Sequence, residues 1–539
     1  MRSFRSASVA ILAVVLSAVL GGVYGQGALA TDDRIPQHYR AFTAALSAIE
    51  AGYAEPVETD QLVYGAINGM LQTLDPHSSF MDPRTYARMR ERQEQRYYGL
   101  GITILVVDGD ITVVQLFEGS PAYGQGIRRG DVIARIEGED TKGWTSDDAV
   151  RRLRGPRGTF VNISLRRTGI EALIDLAVMR DEITMSSIPA AFMADDRTAF
   201  IRIEDFAEHT DDELGRALDT LARQGMRQVV LDLRNNPGGQ LDQAIRISNR
   251  FLRRGDMIVY TRGRVPNSDQ DYRATRPSSF TDLPVIVMVN RNSASASEIV
   301  AGALQDHDRA LIVGETTFGK ALVQSIYRVS QGAGLALTTA QYYTPAGRLI
   351  QRPWDGTFDE YFTYGMRDQQ EAPHAPEQMK LTTGGRKVYS GGGIEPDARI
   401  EGQVEGFSPT RFARTIYARQ LFAAFAEPFS ARGDARPGAQ GPTRKLVDPG
   451  FAVDEAMVRD FRAFLETRRV RIDEDAFARD EDFIKAMIRF EIELALFGIG
   501  EARKNLILAD PQARHALTLF GEARQLSELS RSRTAKVGQ

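Results

Sequence analysis

The chain of 539 residues contains no cysteine, which excludes a thiol nucleophile, disulfides and thiolate-held zinc. A basic excess is missing too. Its 67 Lys plus Arg stand against 71 Asp plus Glu, and the arginines are spread along the chain, so nothing indicates a nucleic-acid surface. Histidine is scarce at six residues (His38, His77, His209, His307, His374 and His515), and lysine supplies only eight of the 67 basic residues. There is no Gly-x-Ser-x-Gly elbow, no Ser-x-x-Lys pair and no internal repeat. No metal or organic cofactor is implied. What remains, 42% hydrophobic and 26% charged residues, is ordinary globular composition with room for three or four domains.

Long apolar runs are nearly absent as well. One, from about Val9 to Val23, follows Arg2 and Arg5 and precedes the small-x-small site Ala28-Leu29-Ala30. This reads as a secretory signal peptide over residues 1–30, shorter than the roughly 20 apolar residues of a spanning helix; an uncleaved anchor is the alternative. Either way the remainder is expected outside the cytoplasm, in the periplasm of a double-membrane bacterium.

The most informative positive feature is the small-residue run from Ser293 to Ser297, which follows the apolar stretch Pro284 to Val289. The pattern predicts a buried strand ending in a turn that starts a helix. Such a turn leaves a hydroxyl beside the unpaired N–H groups of the first helical residues, where negative charge on a substrate oxygen is stabilised. A serine nucleophile needs a base. His307, at the far end of the same helix, would stand about 18 Å away at 1.5 Å per residue. Lys320, in the glycine-flanked stretch after the apolar strand Ala310 to Gly314, is the better candidate. Lysine, unlike arginine, loses its proton when apolar surroundings desolvate it, and Ser-Lys pairs are an established variant of the triad. Taken singly, Ser293, Ser295 and Ser297 also read as helix caps, and Lys320 as a solvated charge.

The run Asn290 to Asp306 followed by Gly314 to Gln324 resembles the carboxy-terminal processing peptidases, or tail-specific proteases. The resemblance implies that Ser295 is the nucleophile, that Lys320, twenty-five positions on, is the base, and that Gln324 orients it. Asp306 either supports that site or fixes a loop. One oxyanion donor is expected at the N–H of Ala296, next to the nucleophile. The second is expected in the loop after Val229 to Leu233, where the resemblance implies Gly238 or Gly239 without choosing between them.

Tyr98, Gly99, Leu100, Gly101 and Ile102 open a segment whose ordered glycine motifs resemble a PDZ domain over 86–183. The resemblance implies that backbone N–H groups around Gly99 to Gly101 hold a peptide's terminal carboxylate while the peptide adds a strand; a small β domain used only for packing is the alternative. Arg154 reads either as a contact that couples a tail-bound PDZ domain to Lys320 and Gln324, or as a solvated turn residue.

The expected architecture is multidomain α/β: a helical region over 31–85, including a turn at His77, the PDZ domain, an α/β crotonase- or ClpP-like protease core over 184–400, and a helical extension over 401–539. The core carries an insert at 352–392 that reads as a lid, an added surface or a subgroup feature, and a linker is expected near 430–444. The expected activity is that of an exported serine endopeptidase acting on polypeptides with free, apolar C-termini. Self-association through the helical regions, or delivery of substrate by an adaptor, is compatible with the sequence. The competing readings are a tail-binding protein on an inactive protease core and a crotonase-like acyl enzyme.

Overall fold

The computed structural model describes residues 34–354, 357–363, 374–400, 407–429, 447–448 and 450–537. The expected signal peptide and the expected linker near 430–444 lie outside the described residues, as do 355–356 and 364–373 of the insert.

Helices α1 (Arg34–Gly52) and α2 (Thr59–Leu71) occupy the start of the region expected to be helical. Beyond them the chain departs from that expectation. A turn at Asp75 leads into strand β1 (Ser79–Met81), and α3 (Pro83–Gln93) follows, its first turn capped by the Asp82 carboxylate through the N–H groups of Arg84 and Thr85. Helical periodicity cannot reveal β1, because its three residues are held by pairing with a strand more than 250 residues away.

The PDZ segment runs β2 (Arg96–Gly99), β3 (Ile102–Val107), β4 (Asp110–Leu116), α4 (Pro121–Gly124), β5 (Val132–Ile136), β6 (Glu139–Asp140), α5 (Ser146–Leu153), β7 (Phe160–Arg166), β8 (Ile174–Met179) and β9 (Asp181–Thr184). Its sheet has the order β3-β4-β5-β7-β8, so β3 is an edge strand with one side unpaired. Helix α5, started by a Thr145–Asp148 capping box, packs on β3 and β5. Gly101 heads β3 at φ +77°, and a Cβ there would sit 2.2 Å from that of Ser120; only glycine fits.

The core begins with β10 (Ala190–Met193), β11 (Thr198–Arg202), α6 (Thr210–Arg223), β12 (Gln228–Asp232) and α7 (Leu241–Asn249). It continues with β13 (Met257–Arg262), β14 (Gln270–Arg273), β15 (Val285–Val289), α8 (Ala296–Asp306), β16 (Leu311–Gly314), β17 (Leu322–Arg328) and β18 (Gly334–Tyr343). The insert supplies α9 (Phe358–Phe362) and the hairpin β19 (Met379–Leu381) and β20 (Lys387–Tyr389), and β21 (Ala398–Arg399) closes the core. The main sheet has the order β10-β11-β12-β15-β16-β21, parallel from β11 onward. A second, antiparallel sheet of order β1-β18-β13-β14, with β17 on β18, packs beside it.

The continuous apolar character of β15 has a direct cause. Val285, Val287 and Val289 face a cluster with α6, α7 and α8, whereas Ile286 and Met288 face one made with Ile507, Ala513, Ala516, Phe520 and Ala523. A parallel strand covered on both sides cannot alternate apolar with polar residues. The second cover comes from the C-terminal extension: α10 (Arg411–Ala418), α11 (Leu421–Ala426), α12 (Glu455–Thr467), α13 (Glu474–Arg479), α14 (Glu481–Phe497), α15 (Ile499–Ala509), α16 (Pro511–Thr518) and α17 (Phe520–Val537). An extension expected to serve association between chains therefore completes the core of its own chain through α15, α16 and α17.

Candidate active site

Ser295 stands between β15 and α8 with φ +55° and ψ −112°, a conformation that a side-chain-bearing residue adopts only under constraint. Its hydroxyl makes no cap bond to the helix, so the capping alternative does not account for it. Its neighbours do structural work: Ser293 Oγ donates to Leu233 O (2.8 Å) and Ser297 Oγ to Asn236 O (2.9 Å), which ties the serine turn to the glycine loop after β12.

The constraint on Ser295 has two visible sources. Glu298, with no exposed surface, accepts the Ser295 N–H at 2.7 Å and, on the far side, the N–H groups of Gly319 (2.7 Å) and Lys320 (2.9 Å) and the hydroxyl of Thr317 (2.6 Å). Burial pushes the Glu298 carboxyl up to about 7, against the lowering effect of those hydrogen bonds. From the second sheet, the Tyr342 hydroxyl lies 3.1 Å from Ser295 O and 2.6 Å from Lys320 O. One carboxylate and one phenol thus bridge the backbones of Ser295 and Lys320.

Lys320 Nζ donates to Gln324 Oε1 at 2.7 Å. Desolvation is the largest influence on the amine and holds it below the usual lysine value of 10.5, while the charges of Glu298 and Asp75 act in the opposite sense. Gln324 lies at a register shift between β17 and β18, where a bulge re-aims a side chain. Its Nε2 donates to His77 O at 2.6 Å. His77 belongs to the turn between α2 and β1, fixed by Asp75, whose carboxylate accepts from the N–H groups of His77 and Ser78 and from the hydroxyls of Ser78 and Thr338. The His77 ring is packed by Phe318, Tyr361 and Phe362 and touches the Tyr361 hydroxyl at 2.9 Å. Burial, with the nearby Lys320 charge, depresses its pKa to about 3, so the ring is neutral. The α9 part of the insert therefore sits against the residues that support Lys320 and Gln324.

In the loop after β12, the Gly238 N–H is used by Asn236 Oδ1 at 2.9 Å. The N–H groups of Gly239 and Ala296 have no acceptor among the described residues. A Cβ on Gly238 would lie 2.8 Å from Ser295 Cβ and 2.9 Å from Ala296 N, so this loop rests directly on the Ser295 turn. The geometry favours Gly239 over Gly238 as the partner of Ala296.

Two other residues lie apart from the Ser295–Lys320–Gln324 group. Asp306 accepts from Arg348 Nη2 (2.5 Å) and from Ala346 N–H (2.8 Å) in a buried pair that fixes the segment after β18. Arg154 pairs with Glu91 of α3, its guanidinium 4.5 Å from the Tyr97 ring. That contact joins the PDZ segment to the helix before it and does not reach Lys320 or Gln324. Tyr98 pairs its hydroxyl with Glu182, and Gly99, Leu100, Gly101 and Ile102 run from β2 to the head of β3. Glu298, Thr317, Tyr342, Asp75 and His77 were not singled out by sequence reasoning as site residues; only Glu298 carried a local signal, three residues after a serine at a helix start.

Residues 197–357 match the model of peptidase family S41, residues 89–166 that of the PDZ domain, and residues 26–85 that of the activating protease CtpB N-terminal domain. A carboxy-terminal-processing protease of Bartonella bacilliformis is 39% identical over 307 residues, 56% of this chain and 70% of that protein. The carboxy-terminal processing protease CtpA of Bacillus subtilis is 35% identical over 351 residues, 64% and 74% of the two chains. Among solved structures, a photosystem II D1 C-terminal processing protease is 28% identical, covering 67% of this chain and 87% of its own, with a TM-score of 0.35.

Proposed function

Because this chain belongs to the carboxy-terminal processing peptidases of family S41, we propose that it is an exported serine endopeptidase that selects polypeptides by their free, apolar C-termini and cleaves them through an acyl-enzyme. Family membership favours peptide hydrolysis over the crotonase-like alternative. The observation that carries the chemistry is the double bridge: Glu298 and Tyr342 each touch the backbone of both Ser295 and Lys320, which ties the residue with the desolvated amine to the residue with the hydroxyl at the helix start.

In the proposed cycle neutral Lys320 uses one hydrogen to hold Gln324 Oε1, leaving its lone pair for the Ser295 proton. As Oγ bonds to the substrate carbonyl carbon, the carbonyl π pair becomes an oxyanion, received by the N–H groups of Ala296 and Gly239 and by the positive end of α8. Collapse breaks the C–N bond, and the leaving amine takes the proton from the Lys320 ammonium. Water, deprotonated by Lys320, then attacks the acyl carbon, the C–Oγ bond breaks, and Ser295 Oγ takes its proton back from the Lys320 ammonium. Substrate choice is proposed to lie in the groove between the free edge of β3 and α5, where a peptide strand can add with its carboxylate toward Leu100 and Gly101.

The test uses the chain without residues 1–30 and an unfolded polypeptide ending in apolar residues, beside Ser295→Ala and Lys320→Ala. Cleavage by the unsubstituted chain alone supports the reading, and equal digestion by all three refutes it. Loss of cleavage on amidating the tail supports C-terminal selection; equal cleavage of the amidated substrate removes that part. Export is tested separately, by finding whether the full chain fractionates outside the cytoplasm of a double-membrane bacterium.

A further inference from the structure

The loop proposed to hold the oxyanion is braced from the C-terminal extension. Arg234, the second residue after β12, is 7% exposed. Its Nε and Nη2 donate at 2.9 Å each to the two oxygens of Asp232, which has no exposed surface. Its remaining arm, Nη1, donates to Asp510 Oδ2 at 2.6 Å and to Gln512 Oε1 at 2.7 Å, at the start of α16. Asp510 is oriented in turn, since its other oxygen caps α16 through the Gln512 N–H at 2.9 Å. Half of a rigid, planar fork is thus held by the core and half by the extension.

What Arg234 holds is the backbone leading into the site. Two residues on, Asn236 donates to Ile203 O (2.8 Å), accepts the Gly238 N–H (2.9 Å) and receives Ala294 N–H and Ser297 Oγ on its carbonyl (3.0 and 2.9 Å). A shift at Arg234 therefore moves Gly238 and Gly239 against Ala296. The extension is a firm support for this. Its α15, α16 and α17 are buried against the main sheet, Glu493 of α14 accepts from Asn505 of α15 at 2.9 Å, and Glu491 of α14 pairs with Arg129 of the PDZ segment.

We propose that Asp510 and Gln512 are positioning residues for the oxyanion loop, acting through Arg234, so that the C-terminal extension is part of the catalytic apparatus. This rests on the peptidase reading above, and oxyanion donors gain their effect from being fixed before charge develops. Asp510 and Gln512 touch no substrate, so their loss should appear in kcat and leave substrate binding alone.

The experiment compares the unsubstituted chain, Ser295→Ala, Asp510→Ala/Gln512→Leu, Asp510→Asn and Gln512→Leu on the free-tailed polypeptide, with melting temperatures taken in parallel. For the double variant kcat is expected to fall about tenfold, with KM and the Kd for a free-tailed peptide unchanged. Asp510→Asn, whose one carbonyl oxygen keeps either the Arg234 bond or the cap while Gln512 still accepts from Arg234, is expected to lose less kcat than the double variant. A folded double variant with unsubstituted kcat, a change confined to KM, or an Asp510→Asn as impaired as the double variant would each overturn the proposal. If the double variant does not fold, Gln512→Leu decides: a lowered kcat at an unchanged melting temperature supports the proposal, an unchanged kcat overturns it. Failure of the peptidase reading itself is distinct, because the unsubstituted chain would then cleave no better than Ser295→Ala.

Discussion

Gly238→Ala is the substitution whose consequence follows most directly from the geometry. At φ +98° an alanine is strained, and its Cβ would stand 2.7 Å from Ala294 O, 2.8 Å from Ser295 Cβ and 2.9 Å from Ala296 N. None of these atoms is the end of a flexible side chain, so the loop and the Ser295 turn must move apart. The strain itself costs about 1–3 kcal/mol. Displacing one oxyanion donor costs a further 2.7–4 kcal/mol in the transition state, or roughly 100- to 1,000-fold in kcat. Gly255 provides the control, because it has nearly the same φ of +96° with nothing near its absent Cβ. Steady-state cleavage of a fluorogenic free-tailed peptide, with chemical denaturation alongside, should show a loss of stability for both variants, larger for Gly238→Ala because its Cβ also clashes, but the loss of kcat for Gly238→Ala alone. A folded Gly238→Ala with kcat within about threefold of the unsubstituted chain would show that the loop is not the oxyanion donor.

The pH dependence has a definite sign. Burial lowers the Lys320 pKa and only the neutral amine is a base, so kcat/KM should rise with pH through a midpoint below 10.5. Lys320→Arg, which stays charged, should be inactive across that range; activity with the same pH profile would exclude Lys320 as the base. The positive φ of Ser295 implies that Ser295→Gly unfolds at higher denaturant than Ser295→Ala, by about 1–2 kcal/mol, and equal midpoints would mean that the turn is unstrained. Asp306→Ala leaves the fully buried Arg348 without its carboxylate and should destabilise the chain by about 3–5 kcal/mol; an unchanged urea midpoint would contradict this.

The features legible in the sequence were those carried by neighbours along the chain. The apolar stretch ending at Val289, the small residues before Ala296 and the glycine pair at 238–239 announce strands ending in turns that start helices, because turn chemistry and periodicity act over a few residues. The helices of the extension were legible for the same reason, as in the spacing of Phe483, Met487, Ile488 and Ile492 on α14. The destination of those helices was not. An apolar stripe states that a face will be buried and leaves its partner open, and here α15, α16 and α17 bury theirs on the main sheet of their own chain. Arg154 illustrates the same gap, since a guanidinium can bridge to any nearby carboxylate and packing selected Glu91.

By itself, then, the order of residues determined the local hardware: a hydroxyl at a helix start, a lysine and glutamine four residues apart, a glycine loop after a buried strand. Only the tertiary structure decided what surrounds them, bringing Glu298 to Lys320, Tyr342 to Ser295, His77 to Gln324 and Asp510 to Arg234 across separations of 22 to 276 residues. The physical reason is that a hydrogen bond or ion pair in a desolvated site depends on distance in space, and which distant groups meet there is set by the packing of sheets and helices as a whole.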